Sequence, residues 1–191
     1  MFLTENEIEK IGFKKIGKNV LISDKCSIYN AKNIEIGSNV RIDDFVILSA
    51  GDGGIKIGSH IHIACYASLI GKGEIIVEDF SQISSRVTIL SSSDDFSGDF
   101  LIGPCISNEF TNVKSKKVHL MRHSVIGTGS TILPGVTLFE GAAVGAMTLV
   151  KKDVESFSIY IGSPAKKIKN RYKKILQLEI EFLKKYDNEN L

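Results

Sequence analysis

Large aliphatic residues recur every six positions along most of this chain, and that spacing constrains the fold more than any other feature. They stand at Ile16, Ile22 and Ile28, then Ile36, Ile42 and Leu48, then Ile57, Ile63 and Leu69, then Val77, Ile83 and Ile89. After a break the series resumes at Leu120, Ile126 and Ile132, and continues through Leu138, Val144 and Val150. A period of six is not the period of a helix. Four residues after many of these aliphatics stands a small or β-branched side chain, as at Val40, Val46, Ala67, Ser81, Ser130 and Thr148. Six-residue faces, each with one inward aliphatic and a tight corner, describe a triangular coil of short parallel strands. Such a coil buries its side chains only by stacking on the next, about 4.8 Å away. Six trios therefore predict an all-β solenoid, a parallel β-helix of about six coils.

The rest of the sequence fits one such core. The 191 residues suffice for a single domain with small appendages. With 43% hydrophobic and 24% charged residues, disorder is excluded. Twenty-four basic against 22 acidic residues leave a net charge of +2, too balanced to predict nucleic-acid binding. Three widely spaced cysteines with no Cys-x-x-Cys pair suggest a reducing compartment, and the first residues show no leader, so cytoplasm is the expectation. Residues 124–150 carry only Glu140 as a charge and are long enough to span a bilayer. Pro134, the glycines and the six-residue period argue against a lipid-facing helix, and no membrane association is predicted.

Thr4 and Glu7 form a capping-box pattern, predicting a short helix through Lys10 that covers the first coil within an N-terminal cap over 1–15. The solenoid is assigned to 16–163, with an inserted loop over 90–119 that is too long and polar for a plain corner. Apolar ridges at Ile168, Tyr172, Leu176, Ile180 and Leu183, and at Ile175, Leu178, Phe182 and Tyr186, predict a C-terminal helix within 164–191. It is expected to cap the last coil, packing on a neighbouring subunit being the alternative. Between Lys166 and Lys174 six basic residues occur without an acid, either a solvated helix face or an anion site.

The stretch Ile126-Gly127-Thr128-Gly129-Ser130-Thr131-Ile132-Leu133-Pro134-Gly135-Val136-Thr137, followed by Ile161-Gly162-Ser163-Pro164-Ala165-Lys166, resembles the closing coils of the left-handed β-helix acyltransferases, the hexapeptide-repeat family. The resemblance covers about residues 16 to 171. It implies left-handed coils, a homotrimer, active sites in the clefts between subunits, and acetyl-CoA or another acyl-CoA as donor.

In many sugar O-acetyltransferases of this family the inserted loop opens with a histidine that deprotonates the acceptor hydroxyl. Here that place falls near Ser93 or Asp94, and no histidine lies between His62 and His119. An aspartate is a poor base for a hydroxyl but suits a sugar ammonium. The run Ser91-Ser92-Ser93-Asp94-Asp95 is similar to loops of enzymes that N-acetylate nucleotide-linked amino-deoxysugars. The resemblance therefore implies acetyl transfer to the amine of such a sugar, a dTDP sugar, for surface-glycan (lipopolysaccharide) biosynthesis.

Asp94 is then expected to hold the amine, with Ser92, Ser93 and Asp95 on the substrate. His123, near the base of the loop, is a candidate general base, with His62 next. Gly127, Gly129, Gly145 and Ala146 offer a backbone groove for the pantetheine arm. Lys151, Lys166, Lys167 and Arg171 are placed to meet the phosphates of CoA. The histidine pairs are not spaced as a metal site on one helix face, no carboxylate-rich cluster accompanies them, and no catalytic metal is predicted. The alternatives are O-acetylation of a saccharide hydroxyl with His123 or His62 as base, and a non-catalytic β-helix assembly module.

Overall fold

The computed structural model describes residues 1–189, with side chains as far as Lys185. The chain winds as the parallel β-solenoid that the hexads predict, each full coil giving one strand to each of three sheets. The first sheet runs from Lys15–Ile16 to Thr137–Leu138, the second from Val20–Ile22 to Ser158–Ile161 and the antiparallel Lys166–Asn170, the third from Ser27–Tyr29 to Leu149–Val150. Register makes the core a set of columns. In the second sheet Ile22 pairs with Ile42, Ile42 with Ile63, Ile63 with Ile83, Ile83 with Ile126, and Ile126 with Val144. All six are buried. A partial seventh coil follows the six, with Val154 bridging Leu138 and Tyr160 pairing with Val144.

The residues four places after the aliphatics also point inward. Where they are polar, their hydroxyls find backbone carbonyls: Ser81 donates to the Met121 carbonyl of the next coil at 3.1 Å, Ser130 to that of Gly145 at 2.8 Å, and Thr148 to that of Ala146 in its own coil at 3.3 Å. Two corners are built on left-handed backbone. Asn19, Asn39, His60, Phe80 and His123 stack at the corner between the first and second sheets, and Phe45, Tyr66, Arg86 and Met147 at the corner between the second and third. For a side chain with Cβ this conformation costs about 1–2 kcal/mol. Hydrogen bonds between corners offset it, as from the Phe80 N–H to the Ser59 carbonyl and from the Tyr66 N–H to the Asp44 carbonyl.

Helix α1 (Glu5–Ile11) has the predicted capping box, and Ile8 is buried over the first coil. The long loop leaves after Thr88–Leu90 and returns at Val118–Leu120, with Ser92–Ser93 pairing antiparallel to Lys114–Ser115.

The C-terminal region departs from expectation. Helix α2 (Lys174–Glu189) begins ten residues later than 164, and Lys166–Asn170 is a strand, so the basic run is not one helix face. Nor does α2 cap the last coil; it lies along the first corner. The Arg171 guanidinium turns the chain back by donating to the carbonyls of His123 (2.8 Å) and Gly141 (3.1 Å). Glu179 then accepts from Arg122 and pairs with His123, while Phe182 packs edge-on against His60 and Phe80. Tyr186, expected on the same face, has a side chain outside the described residues. Among the described residues no helix is long and apolar enough to cross a membrane.

Candidate active site

The inserted loop is held by one of its two aspartates and leaves the other open. Asp95 is 7% exposed and accepts from the Ser97 N–H (2.9 Å) and Asn112 Nδ2 (2.7 Å), with Lys114 Nζ at 3.2 Å. These bonds, the Ser97 bond foremost, hold its carboxyl far below the usual carboxylate range. Asp95 is thus committed to the loop itself rather than free for substrate. Asp94, half-buried beside it, has no side-chain hydrogen bond among the described residues. Ser92 Oγ accepts from the Lys72 N–H at 3.2 Å, and Ser93 Oγ donates to the Asp94 carbonyl at 3.1 Å.

The two histidine candidates lie away from this loop. His123 sits at the first corner, buried under α2, stacked on Phe80 and paired with Glu179. The loop leaves from the third corner, so the fold does not bring His123 and Asp94 together within one chain. His62 faces outward from the second sheet, its Nε2 2.7 Å from Asp43, which also accepts from Arg41 Nε at 2.7 Å. Burial opposes ionisation of Asp43, but the bonds from Arg41 and His62 prevail and keep its pKa below the usual value.

The glycines expected to line a cofactor groove are required by coil stacking. A Cβ on Gly127 would lie 2.5 Å from the Ala146 nitrogen, and one on Gly145 2.5 Å from Ile161 Cγ2. Gly129 has φ +72° with Met147 Sδ where its Cβ would be. Ala146, beside them, is exposed. Of the four basic residues, Arg171 is turned inward and Lys167 pairs with Glu155 at 2.7 Å. Lys151 and Lys166 instead rim a cavity of about 290 Å³ with Tyr160, Pro164 and Ala165.

Ser84 was not singled out from the sequence. It follows Gln82–Ile83 at the second corner, where other coils carry Asp43, Ala64, Gly127 and Gly145, and its hydroxyl has no hydrogen-bond partner among the described residues. A polar group without a partner, in a row of mostly small residues, is the only signal it gives. Among the described residues no three His, Cys, Asp or Glu side chains are grouped to hold a metal.

No family model matches the chain. Over 190 residues it is 49% identical to the dTDP-4-amino-4,6-dideoxy-D-glucose acyltransferase of Escherichia coli, covering 100% of this chain and 99% of that protein. The chain belongs to the dTDP-aminosugar acyltransferases. This acyltransferase also resembles AntD, an N-acyltransferase from Bacillus cereus, at 51% identity and a TM-score of 0.93, over 97% of this chain and 98% of AntD in its complex with dTDP and 3-hydroxybutyryl-CoA. AntD has further been solved as a D94N variant with dTDP and coenzyme A, and as an S84C variant with dTDP-4-amino-4,6-dideoxyglucose and coenzyme A. A more distant relative, the putative lipopolysaccharide biosynthesis O-acetyl transferase WbbJ of Escherichia coli K12, is 26% identical over 159 residues, 78% of each chain.

Within this acyltransferase the geometry gives His123 a structural task. The Arg122 hydrogen bond holds the Glu179 carboxyl below its ordinary range, with burial opposing and His123 assisting. The depressed pKa means that docking of α2 is stabilised fully above the ordinary carboxylate range and loses that contribution as pH falls through and below it. Glu179→Ala is expected to cost about 2 kcal/mol and to raise amide exchange in α2 selectively. His123→Asn is expected to do the same to a smaller degree. A loss of turnover in His123→Asn with unchanged exchange in α2 would return His123 to the role of general base.

Proposed function

We propose that this enzyme transfers the acyl group of an acyl-CoA to the amine of a dTDP-4-amino-4,6-dideoxyhexose. The full-length identity to the E. coli acyltransferase carries this reading, and an open Asp94 carboxylate at the mouth of the loop fits it. Asp94 and Ser84 bear the residue types and numbers at which AntD was altered in its ligand complexes. Asp94 holds the sugar ammonium, which gives one proton to water. The neutral nitrogen then attacks the thioester carbonyl, the C–N bond forms, and the C–S bond breaks with CoA leaving as thiolate. The thiolate takes up the proton that the amide nitrogen sheds. Ser84 supplies a hydrogen bond to the thioester oxygen as negative charge develops there. Lys151 and Lys166 meet the CoA phosphates.

The active assembly in this reading is a trimer with shared sites. Ser84 stands at the second corner and Asp94 at the third, with the whole third face between them, roughly 20 Å of extended chain. One sugar amine at one thioester is reached by both only if they come from different subunits. The acylated nucleotide sugar is then consumed by glycosyl transfer into a surface glycan, and the cytoplasm is the place proposed for its synthesis.

Incubation with dTDP-4-amino-4,6-dideoxyglucose and either acetyl-CoA or 3-hydroxybutyryl-CoA, with free thiol and product mass followed, tests the function and ranks the donors. Amide product is expected, with kcat/KM rising with pH through the pKa of the sugar amine, because only the deprotonated amine attacks. Acylation of sugar hydroxyls alone would overturn the amine reading.

A further inference from the structure

Between α2 and the outer side of the second sheet lies a cavity of about 460 Å³. Its floor is Gln82 and Val125, which pair across adjacent strands, and Phe80 closes the side toward the first corner. Ile175, Leu178 and Phe182 of α2 form the facing wall. Leu178 is 47% and Phe182 44% exposed, so much of this apolar wall still meets water. The polar groups around the cavity are committed to the scaffold. Gln82 donates from Nε2 to the His60 carbonyl at 3.1 Å and accepts at Oε1 from the His62 N–H at 3.3 Å. Ser124 donates to the Met121 carbonyl, Arg171 to the carbonyls of His123 and Gly141, and Glu179 is held by Arg122 and His123. What the cavity presents to a ligand is therefore mostly carbon, and an apolar chain gains by leaving water there.

The floor of this cavity is two residues from Ser84. Gln82 and Ser84 flank the buried Ile83 on one extended segment, so both side chains leave the same outer face, about 6.6 Å apart. Because Ile83 pairs with Ile63 and Ile126, the neighbouring coils set Ala64 and Gly127 beside Ser84. No large side chain at those two positions walls Ser84 off from the floor. We infer that the cavity takes the hydrocarbon tail of the acyl donor and makes the enzyme favour aliphatic acyl-CoAs of about four to eight carbons over acetyl-CoA. The inference rests on the proposed placement of the thioester carbonyl at Ser84. An extended chain advances about 1.2 Å per bond. The methyl of an acetyl group therefore stays at Ser84, and a butyryl tail comes only to the edge of the floor. A hexanoyl or octanoyl tail lies across Gln82 and Val125, against Leu178 and Phe182.

With dTDP-4-amino-4,6-dideoxyglucose as acceptor, kcat/KM is expected to rise about 15-fold from butyryl-CoA to hexanoyl-CoA, the gain from burying two methylenes, and to do so through KM rather than kcat. Leu178→Trp and Val125→Phe fill the cavity from its two sides. Each is expected to lower the ratio of kcat/KM for hexanoyl-CoA to that for acetyl-CoA by about tenfold or more. Damage to the fold would lower both donors alike and leave the ratio in place. Hexanoyl-CoA bearing a terminal diazirine supplies a reading that needs no variant: on irradiation of the wild-type enzyme it is expected to label peptides of α2 or the strand Val125–Ile126.

An unchanged donor ratio in both variants, or label found only away from α2 and the second sheet, would overturn the inference. Amide formed with the same kcat/KM from acetyl-, butyryl- and hexanoyl-CoA leaves the proposed function standing and removes only the tail site. No amide from any donor overturns the proposed function and takes the tail site with it.

Discussion

Co-expressed in equal amounts, Ser84→Ala and Asp94→Asn chains are expected to regain about a quarter of the wild-type turnover, although each alone has lost most of it. In the proposed reaction each single substitution removes a group that touches the reacting atoms, and a loss of about 10²- to 10³-fold follows from removing such a contact. In mixed trimers a site is intact when the chain giving Ser84 is the Asp94→Asn variant and the chain giving Asp94 is the Ser84→Ala variant. Random assembly meets that condition in about one site in four. Separately purified trimers mixed without exchange of subunits should show no gain, which makes the recovery a property of the interface. Co-expression that yields only the residual rate of the single variants would mean that both residues serve a site within one chain, or that one of them serves no site.

Gly127→Ala is expected to lower stability by about 3 kcal/mol, at the upper end of overpacking costs, and the melting temperature by about 6–12 °C. The added Cβ would lie 2.5 Å from the Ala146 nitrogen and 2.7 Å from the Gly145 carbonyl carbon. Those are backbone atoms of the next coil, held in register by the pairs Val125–Ala143 and Ile126–Val144, and cannot step aside as a flexible side chain would. The experiment also separates two reasons for a glycine there. If Gly127 serves only the approach of the pantetheine arm, the substitution raises the Kd for CoA and leaves the melting temperature unchanged. A thermal melt and a CoA titration on the same sample therefore decide between stacking and cofactor contact.

The hexads were legible because a solenoid coil makes its core from residues near one another in sequence. Ile42 is inward because it lies six after Ile36 and pairs with Ile22 and Ile63, and that rule needs no distant partner. The capping box of Thr4 and Glu7 was readable for the same reason, as was the interruption that begins after Ile89.

His123 illustrates what local reasoning leaves open. Its place near the base of the loop suggested chemistry, but Glu179 lies 56 residues away in sequence and only the fold sets the two together. Arg171 belonged to a run of cations read as a phosphate site, yet the last coil needs its guanidinium for the carbonyls of His123 and Gly141. The corner residues Phe80, Tyr66 and Met147 escaped notice because their left-handed backbone is imposed by hydrogen bonds between coils, not by side chains that favour turns. Asp94 and Asp95 are adjacent and chemically alike, and the sequence assigned both to the substrate. Tertiary structure separated them, because Ser97, Asn112 and Lys114 converge on one carboxylate and leave the other open.

The sequence by itself determined the solenoid, its inserted loop and the resemblance to acyltransferases, since each rests on a local period or a contiguous motif. Tertiary structure alone decided where α2 lies and which charged groups are committed to the scaffold. Those outcomes depend on contacts between segments tens of residues apart, and no spacing along the chain encodes them.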